Sequence, residues 1–219
     1  MVVPIFNTRY AVQKFDRINE FGVGSDFKKR VDAYLDLPCF KGAAKEQRGR
    51  AITTVGQDEN YPLVPCLDFA NNDIGKWIYS AMVQSTTELG VQTQNPNWFC
   101  TPRTWANRLY TGCSGKAHRH HHAGSHLVAI FYYEAPVGSG DLVFIDSNES
   151  SIELGNRELD SYPPEQIHRV TPEPGMLICH NPWVVHAVDT HRAEDYRTSF
   201  IFEFTFMDMP IHSLLKPVF

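Results

Sequence analysis

A series of short apolar segments separated by turn residues fills the chain after residue 96, and this pattern constrains the fold more than any other feature. Within each segment apolar and polar residues alternate with a period of two, which is typical of strands that bury one face. Six or more strands spaced so closely predict a β-sandwich or a closed barrel. The segments are WFCTPRTWANRLY, HLVAIFYYEAP, DLVFIDS, HRVTPEPGMLICH, WVVHAVD and RTSFIFEFTF.

Two helices are predicted before these strands. Apolar residues recur at helical spacing over 26–36 and again over 71–90. Asn72 or Asp73 can cap the second helix, because a side-chain oxygen there accepts a hydrogen bond from the first free N–H groups. Gly90 can end it, because glycine adopts the left-handed conformation that closes many helices.

The whole chain is predicted to form one domain with an α+β fold. It has 219 residues, of which 42% are hydrophobic, and no repeat, low-complexity tract or linker divides it. A short strand, VPIFNTRYAV, precedes the first helix. We therefore predict a single domain over 1–219, with a helical support layer over 1–96 and a β-barrel core over 97–219.

Composition excludes several classes of function. The chain has 20 basic and 25 acidic residues and no cluster of lysine and arginine, so nucleic acid is not an expected partner. Its five cysteines are scattered, which predicts neither a disulfide framework nor a zinc ribbon. The longest apolar run, 127–133, is too short to span a bilayer, and the first residues lack the pattern of a signal peptide. We expect a soluble, cytoplasmic protein, and leave open whether it forms a homodimer.

A cluster of histidines provides the main chemical indication. The stretch KAHRHHHAGSH, 116–126, holds five histidines in eleven residues. Residues two apart on a strand point to the same side, so His120 and His122 can form half of a metal site. His186, on a later predicted strand, is the candidate for a ligand from elsewhere in the chain.

The last predicted strand, RTSFIFEFTF, has two different faces. Alternation places Arg197, Ser199 and Glu203 on one face and four phenylalanines on the other. The guanidinium of Arg197 is suited to bind a carboxylate through two parallel hydrogen bonds. Glu203 could meet a cationic group of a substrate.

The order of these motifs over residues 97–206 resembles the Fe(II)/2-oxoglutarate-dependent oxygenases, and most closely the branch related to prolyl hydroxylases. The motifs that carry the resemblance are Trp105-Ala106-Asn107, the HxH of His120 and His122, LVAIFYYEAP, GDLVFID, PEPG, Trp183-Val184-Val185-His186 and Arg197-Thr198-Ser199.

The resemblance implies a double-stranded β-helix, the jelly-roll barrel shared with cupins, and an enzyme that oxidises an unactivated C–H bond of a small polar molecule. It implies Fe(II) and 2-oxoglutarate as cofactors and O2 as a second substrate. Arg197 and Ser199 would bind the far carboxylate of 2-oxoglutarate, and Asn107 and Tyr133 are further candidate contacts to this cosubstrate.

The position of the first metal ligand is left open between two registers. The family's usual carboxylate, two residues after the first histidine, is absent, because no Asp or Glu occurs from 117 to 133. If His120 is first, His122 takes the carboxylate position and the site has three histidines. If His122 is first, Gly124 takes it, which resembles the iron/2-oxoglutarate halogenases, where a small residue leaves room for chloride. The remaining alternatives are a cupin dioxygenase or lyase with three histidines and a non-enzymatic β-barrel that binds a metal or ligand.

The remaining histidines are expected to be structural. His118, His121 and His126 are assigned to the surface or to the surroundings of the metal, because alternate residues face away from it. Trp105 and Trp183 are expected in the core. The polar stretch 147–166 is the candidate for a loop that covers the substrate. The other histidines in this group are His168, His180, His191 and His212.

Overall fold

The computed structural model describes residues 1–6, 8–37, 40, 51–54, 64–91, 98–120, 125–146, 159 and 162–208, with the backbone alone at 98–102 and 206–208. The helices are α1 (Asp26–Leu35) and α2 (Asp73–Leu89). The strands are β1 (Val2–Ile5), β2 (Thr8–Lys14), β3 (Ala51–Thr53), β4 (Trp98–Leu109), β5 (Gly115–His118), β6 (Leu127–Glu134), β7 (Leu142–Ile145), β8 (Ile167–Val170), β9 (Met176–His180), β10 (Val185–Val188) and β11 (Arg197–Asp208).

The strands form two antiparallel sheets that enclose an apolar interior. The larger sheet has seven strands in the order β1-β2-β9-β6-β11-β4-β3, and the smaller has four in the order β5-β10-β7-β8. Trp105, Ile130 and Ile201 of the larger sheet share one buried cluster with Leu142 and Phe144 of the smaller sheet. The predicted α+β fold with a double-stranded β-helix is therefore confirmed.

Both predicted helices are present, with the capping groups that the sequence indicated. Ser25 begins α1 by accepting a hydrogen bond from the backbone N–H of Lys28. The side chain of Asn72 accepts from the first N–H groups of α2, and Gly90 ends that helix in the left-handed conformation. Neither helix, nor any other helical segment that the structure describes, is long and apolar enough to cross a membrane.

The helices cover one face of the larger sheet, and β11 lies at the centre of this contact. Strand β11 pairs with β4 on one side and with β6 on the other. Its residues Phe200, Phe202 and Phe204 are fully buried in the cluster that includes Ile78 and Met82 of α2. The residues of β11 that lie between these phenylalanines consequently face the interior of the barrel.

The first third of the chain contributes strands to the barrel sheet as well as helices. The segment VPIFNTRYAV, predicted as one strand, contains β1 and the start of β2, which pair with each other. Strand β2 also pairs with β9, and β3 pairs with β4. The predicted support layer over 1–96 thus contributes strands to the barrel sheet in addition to its helices, because periodicity does not reveal which short strand joins a distant sheet. These pairings support the proposal of a single domain.

A glycine turn connects the barrel to the N-terminal part of the chain. Gly175, the last residue of the PEPG motif, has φ +80°, and a Cβ atom there would lie 2.6 Å from the carbonyl oxygen of Phe15. Its N–H donates to the carbonyl of Tyr132, and its own carbonyl accepts from the N–H of Phe15. Both the conformation and the space at this position therefore favour glycine.

We expect Gly175→Ala to lower the free energy of unfolding by about 3 kcal/mol, because it adds a steric clash to the strain of a positive φ. Gly24 is a matched control, since it has φ +87° and a Cβ atom added there would meet nothing within 4 Å. Gly24→Ala should cost only about 1 kcal/mol. Equilibrium unfolding in urea measures both, and equal losses would contradict the role given to the contact with Phe15.

Candidate metal centre

Three histidines converge at one end of the barrel, where His118 is exposed and His120 and His186 are buried. One ring nitrogen from each of His118, His120 and His186 lies within 4.8 Å of the other two. The Nε2 atoms of His120 and His186 are 3.3 Å apart, and the two rings are stacked. Two imidazoles bound to adjacent positions of a metal at about 2.1 Å would have their nitrogens about 3 Å apart. The spacing of this pair therefore fits a shared cation.

The pairing of β5 with β10 brings the histidines together. His118 lies directly opposite His186 in this antiparallel pair, so their side chains leave the same face of the smaller sheet. His120 follows β5, and its backbone N–H donates to the carbonyl of Pro182 in the turn before β10. That hydrogen bond fixes the chain where it leaves the strand, with the His120 side chain directed inward.

Hydrogen bonds to the Nδ1 atoms orient all three rings in the same way. Nδ1 of His118 contacts the carbonyl oxygen of Lys116 at 2.8 Å, and Nδ1 of His186 contacts that of Val184 at 3.2 Å. Because carbonyl oxygens only accept, Nδ1 carries the proton in each case. Nδ1 of His120 contacts a carboxylate oxygen, which also accepts. In neutral rings the three Nε2 lone pairs are therefore available to a metal.

That carboxylate belongs to Glu203, which is buried on the interior face of β11. Its Oε1 lies 2.6 Å from Nδ1 of His120, and its Oε2 lies 3.6 Å from a guanidinium nitrogen of Arg103. A carboxylate bound to the far nitrogen of a ligating histidine fixes the ring and makes it a stronger donor. Glu203 was predicted as a contact to the substrate, but the structure places it where it can orient a metal ligand.

Desolvation keeps two of the rings in the form that binds metals. It lowers the pKa of His186 well below its usual value, and the neighbouring histidines add to the effect. Desolvation also lowers the pKa of His118. A metal binds only the unprotonated nitrogen, so both residues are prepared as neutral ligands. Imidazole donors suit iron, zinc, copper and nickel, so this set accepts Fe(II) without selecting it.

Arg197 is buried on the same interior face of β11 as Glu203. Its guanidinium lies 5.3 Å from the ring centre of Tyr132, and its nearest acceptors are the carbonyls of Ser139 and Gly140, at 3.5 and 3.3 Å. Its Nε has no hydrogen-bond partner, and within the described residues no carboxylate pairs with it. Desolvation lowers the pKa of Arg197, and the neighbouring Tyr132 offsets this effect only in part.

Two further predicted contacts lie beside Arg197. Ser199 is buried on β11 and pairs with Asn107 of β4, whose Oδ1 is buried with no hydrogen-bond partner among the described residues. Across the other edge, Ser199 pairs with Tyr132 of β6, and no described residue hydrogen-bonds to the hydroxyl of Tyr132. Within the described part of the chain, Arg197, Asn107 and Tyr132 therefore each leave one polar atom without a partner, as a binding site for a polar ligand requires.

Tyr133 does not reach this site. Its ring packs against Phe27 and Phe200 under the helices, and its hydroxyl donates to the carbonyl of Phe21. Adjacent residues of a strand face opposite sides of the sheet, so Tyr132 occupies the interior position that the sequence analysis gave to Tyr133.

The predicted histidine registers can be compared with the structure only in part. His122 and Gly124 lie outside the described residues, as does His121. His120 and His186 meet as expected of ligands, whereas His118, assigned to the surroundings of the metal, lies in the cluster itself. A pair of histidines two residues apart also occurs at His118 and His120, and this pattern could have indicated the arrangement.

The two tryptophans near the site differ in burial. Trp105 is buried, with its ring centre 5.5 Å from that of His120. Trp183, expected in the core, is 51% exposed, because it lies in the turn before β10.

Residues 103–203 match the model of a family described as "Putative 2OG-Fe(II) oxygenase". A search of curated protein sequences gave no match.

Several solved structures are similar over most of the chain. A prolyl-4-hydroxylase from Pseudomonas putida is 14% identical with a TM-score of 0.52, covering 91% of this chain and 93% of the other. HygX from Streptomyces hygroscopicus, with nickel, 2-oxoglutarate and hygromycin B bound, is 14% identical with a TM-score of 0.53, covering 90% and 83%. The epimerase SnoN, in complex with Fe3+, alpha ketoglutarate and nogalamycin RO, is 12% identical with a TM-score of 0.52, covering 90% and 78%.

The contact between Glu203 and His120 predicts a measurable loss of metal affinity. We expect Glu203→Ala to raise the Kd for Co(II), an air-stable probe, by about tenfold or more, because the ring of His120 loses its orienting partner. Glu203→Gln keeps an accepting oxygen and should lose less affinity for Co(II). Isothermal titration of the metal-free protein measures both.

Glu173→Ala is the control, because Glu173 is exposed and pairs with Lys14 at the surface. It should leave the Kd for Co(II) unchanged. Binding of Co(II) by Glu203→Ala with the affinity of the unsubstituted protein would contradict the role given to this carboxylate.

Proposed function

We propose that this chain carries a domain of the Fe(II)/2-oxoglutarate-dependent oxygenase superfamily, and that it uses O2 and 2-oxoglutarate to oxidise a C–H bond of a small polar molecule. The family match and the fold support this activity in general.

The observation that carries the proposal is the state of Arg197. Its guanidinium is 2% exposed, yet no carboxylate among the described residues neutralises it. Burying an unpaired charge is costly, so such a group is expected to bind an anion. A cosubstrate with a free carboxylate satisfies this requirement through two parallel hydrogen bonds. The hydroxyls of Tyr132 and Ser199 lie beside the guanidinium and can donate to the same carboxylate.

Arg197 and the histidine cluster lie on a common wall of the barrel. Arg197 and Glu203 share the inward face of β11, and Glu203 contacts His120 at the other end of that face. Ile201 lies between them and is buried. A ligand that binds Arg197 with one end and a metal at the histidines with the other would therefore lie along an apolar wall. 2-Oxoglutarate has a suitable acid group at each end.

We assign the metal to His118, His120 and His186. When bound, Fe(II) and 2-oxoglutarate together activate O2, with one oxygen atom entering succinate, one entering the substrate, and carbon dioxide leaving. The chain orients His118 and His120 through Lys116 and Glu203, and it buries His120 and His186 away from water. A set of three neutral ligands leaves the full positive charge of the metal for the anionic cosubstrate.

Two alternatives are weighed against this assignment. In a halogenase, His122 and Gly124 would form the first half of the site and chloride would occupy an open position. The convergence of His118, His120 and His186 favours the three-histidine site instead. A three-histidine cupin enzyme would share the ligand set, but it has no use for a buried, unpaired Arg197.

Fe(II) and 2-oxoglutarate added without oxygen should together produce a visible absorption band that neither gives alone. HygX and SnoN, which share the fold, are described with 2-oxoglutarate or alpha ketoglutarate bound, so this compound is the natural first probe. The band should be unaffected by chloride. A shift with chloride would favour the His122 register and a halogenase, and absence of the band would exclude the use of 2-oxoglutarate.

Arg197→Ala should raise the concentration of 2-oxoglutarate needed for half of this band by about 100-fold or more, because the far carboxylate loses its charged partner. Arg197→Lys keeps the charge without the two parallel donors, so it should need a concentration of 2-oxoglutarate between those of the unsubstituted protein and Arg197→Ala. Arg192→Ala is a control, since its side chain is 68% exposed. An unchanged requirement in Arg197→Ala would remove Arg197 from this role.

A comparison of two variants distinguishes a metal site that contains His118 from one that contains His122. His118→Ala should abolish tight Fe(II) binding, whereas His122→Ala should retain it, because only His118 belongs to the proposed ligand set. Anaerobic titration with Fe(II) measures both. The reverse result would support a site that includes His122, as in both registers given by the sequence.

A further inference from the structure

A fourth histidine, His180, lies in the wall of the same cavity. It ends β9 on the inward face of the larger sheet, beside Val128 of β6. Its ring centre is 4.8 Å from that of His186, and the two rings meet edge to face. It is fully buried, and its other side packs against Phe144.

One nitrogen of His180 has a partner and the other does not. Nδ1 lies 2.9 Å from the carbonyl oxygen of Asn181, so Nδ1 carries the proton and Nε2 has a free lone pair. This Nε2 is buried and has no hydrogen-bond partner among the residues that the structure describes. With the proton on Nδ1, Nε2 of the neutral ring acts only as an acceptor.

His180 does not belong to the ligand set itself. The nitrogens that lie within 4.8 Å of one another come from His118, His120 and His186. Nε2 of His180 is therefore an unsatisfied acceptor next to a metal site. An isolated buried acceptor destabilises a protein, so a group that donates to it is expected in the functional state.

We propose that Nε2 of His180 accepts a hydrogen bond from a water molecule that binds the metal beside His186, and that His180 thereby acts as a positioning residue. The inference rests on the proposed metal site. Three imidazoles leave positions of the metal open to solvent, and water bound to a cation is a strong donor. Its most direct acceptor on this wall is His180, since the side chains of Val128 and Phe144 offer only carbon atoms.

The test uses Mn(II) alone, because this ion reports on the water molecules that it binds. In the unsubstituted protein, solvent relaxation should detect water bound to Mn(II). His180→Phe keeps an aromatic ring against Phe144 but removes the acceptor. We expect it to raise the Kd for Mn(II) by about tenfold and to speed the exchange of the bound water. His180→Gln, which offers an oxygen acceptor, should restore much of the affinity for Mn(II) and much of the slow exchange of the bound water.

Stability without metal separates this role from packing. Because His180→Phe removes a buried acceptor without a partner, its Tm in the absence of metal should equal or exceed that of the unsubstituted protein. A lower Tm together with unchanged affinity for Mn(II) would assign His180 to packing and overturn the proposal.

Two other outcomes are equally informative. Electron spin-echo measurements on the Cu(II)-loaded protein count the bound imidazoles, and the loss of one in His180→Phe would make His180 a ligand and overturn the proposal. If the unsubstituted protein binds neither Mn(II) nor Fe(II), the proposed function itself fails. If it binds Mn(II) and the affinity is the same in His180→Phe, only the proposal for His180 fails.

Discussion

The register of β11 between β4 and β6 is the constraint on which the rest of the structure depends. The strand pairs along both edges, so a slip by one residue would have to break two ladders. Such a slip would also turn every side chain to the opposite face. In the observed register three phenylalanines support the helices, while Arg197 and Glu203 face the interior. The same pairing therefore builds the core and places the two charged ends of the site.

The two charged groups of this strand are used differently. Glu203 has a histidine partner within the protein and stabilises one orientation of that ring. Among the described residues Arg197 donates hydrogen bonds only to backbone carbonyls, which supports the proposal that it binds an anion. Polar atoms without a described partner therefore lie at both ends of the interior, at Nε of Arg197 and at Nε2 of His180. The stability lost by leaving Arg197 unpaired is offset elsewhere, in the large apolar clusters on both faces of the sheet.

The histidines show how the smaller sheet contributes to the site. His118 and His186 are 68 positions apart in the chain (186 − 118), yet they lie opposite each other because β5 and β10 pair. His180, from the larger sheet, approaches the same cluster from the facing wall. The site therefore lies between the two sheets, and it requires that both sheets pack in their native arrangement. Substitutions in the apolar core are expected to change metal binding indirectly, through this packing.

The sequence by itself determined the class of fold, the two helices with their caps, and the polar face of the last strand. These features depend on local periodicity and on capping residues such as Asn72 and Gly90, which act within a few positions. Only the tertiary structure decided that Tyr132 rather than Tyr133 faces the interior, and that His118 joins His120. Both choices depend on the register between distant strands, and in a run where neighbouring residues are equally suitable no local pattern selects one face. Pairing with Ser199 and His186 makes that selection.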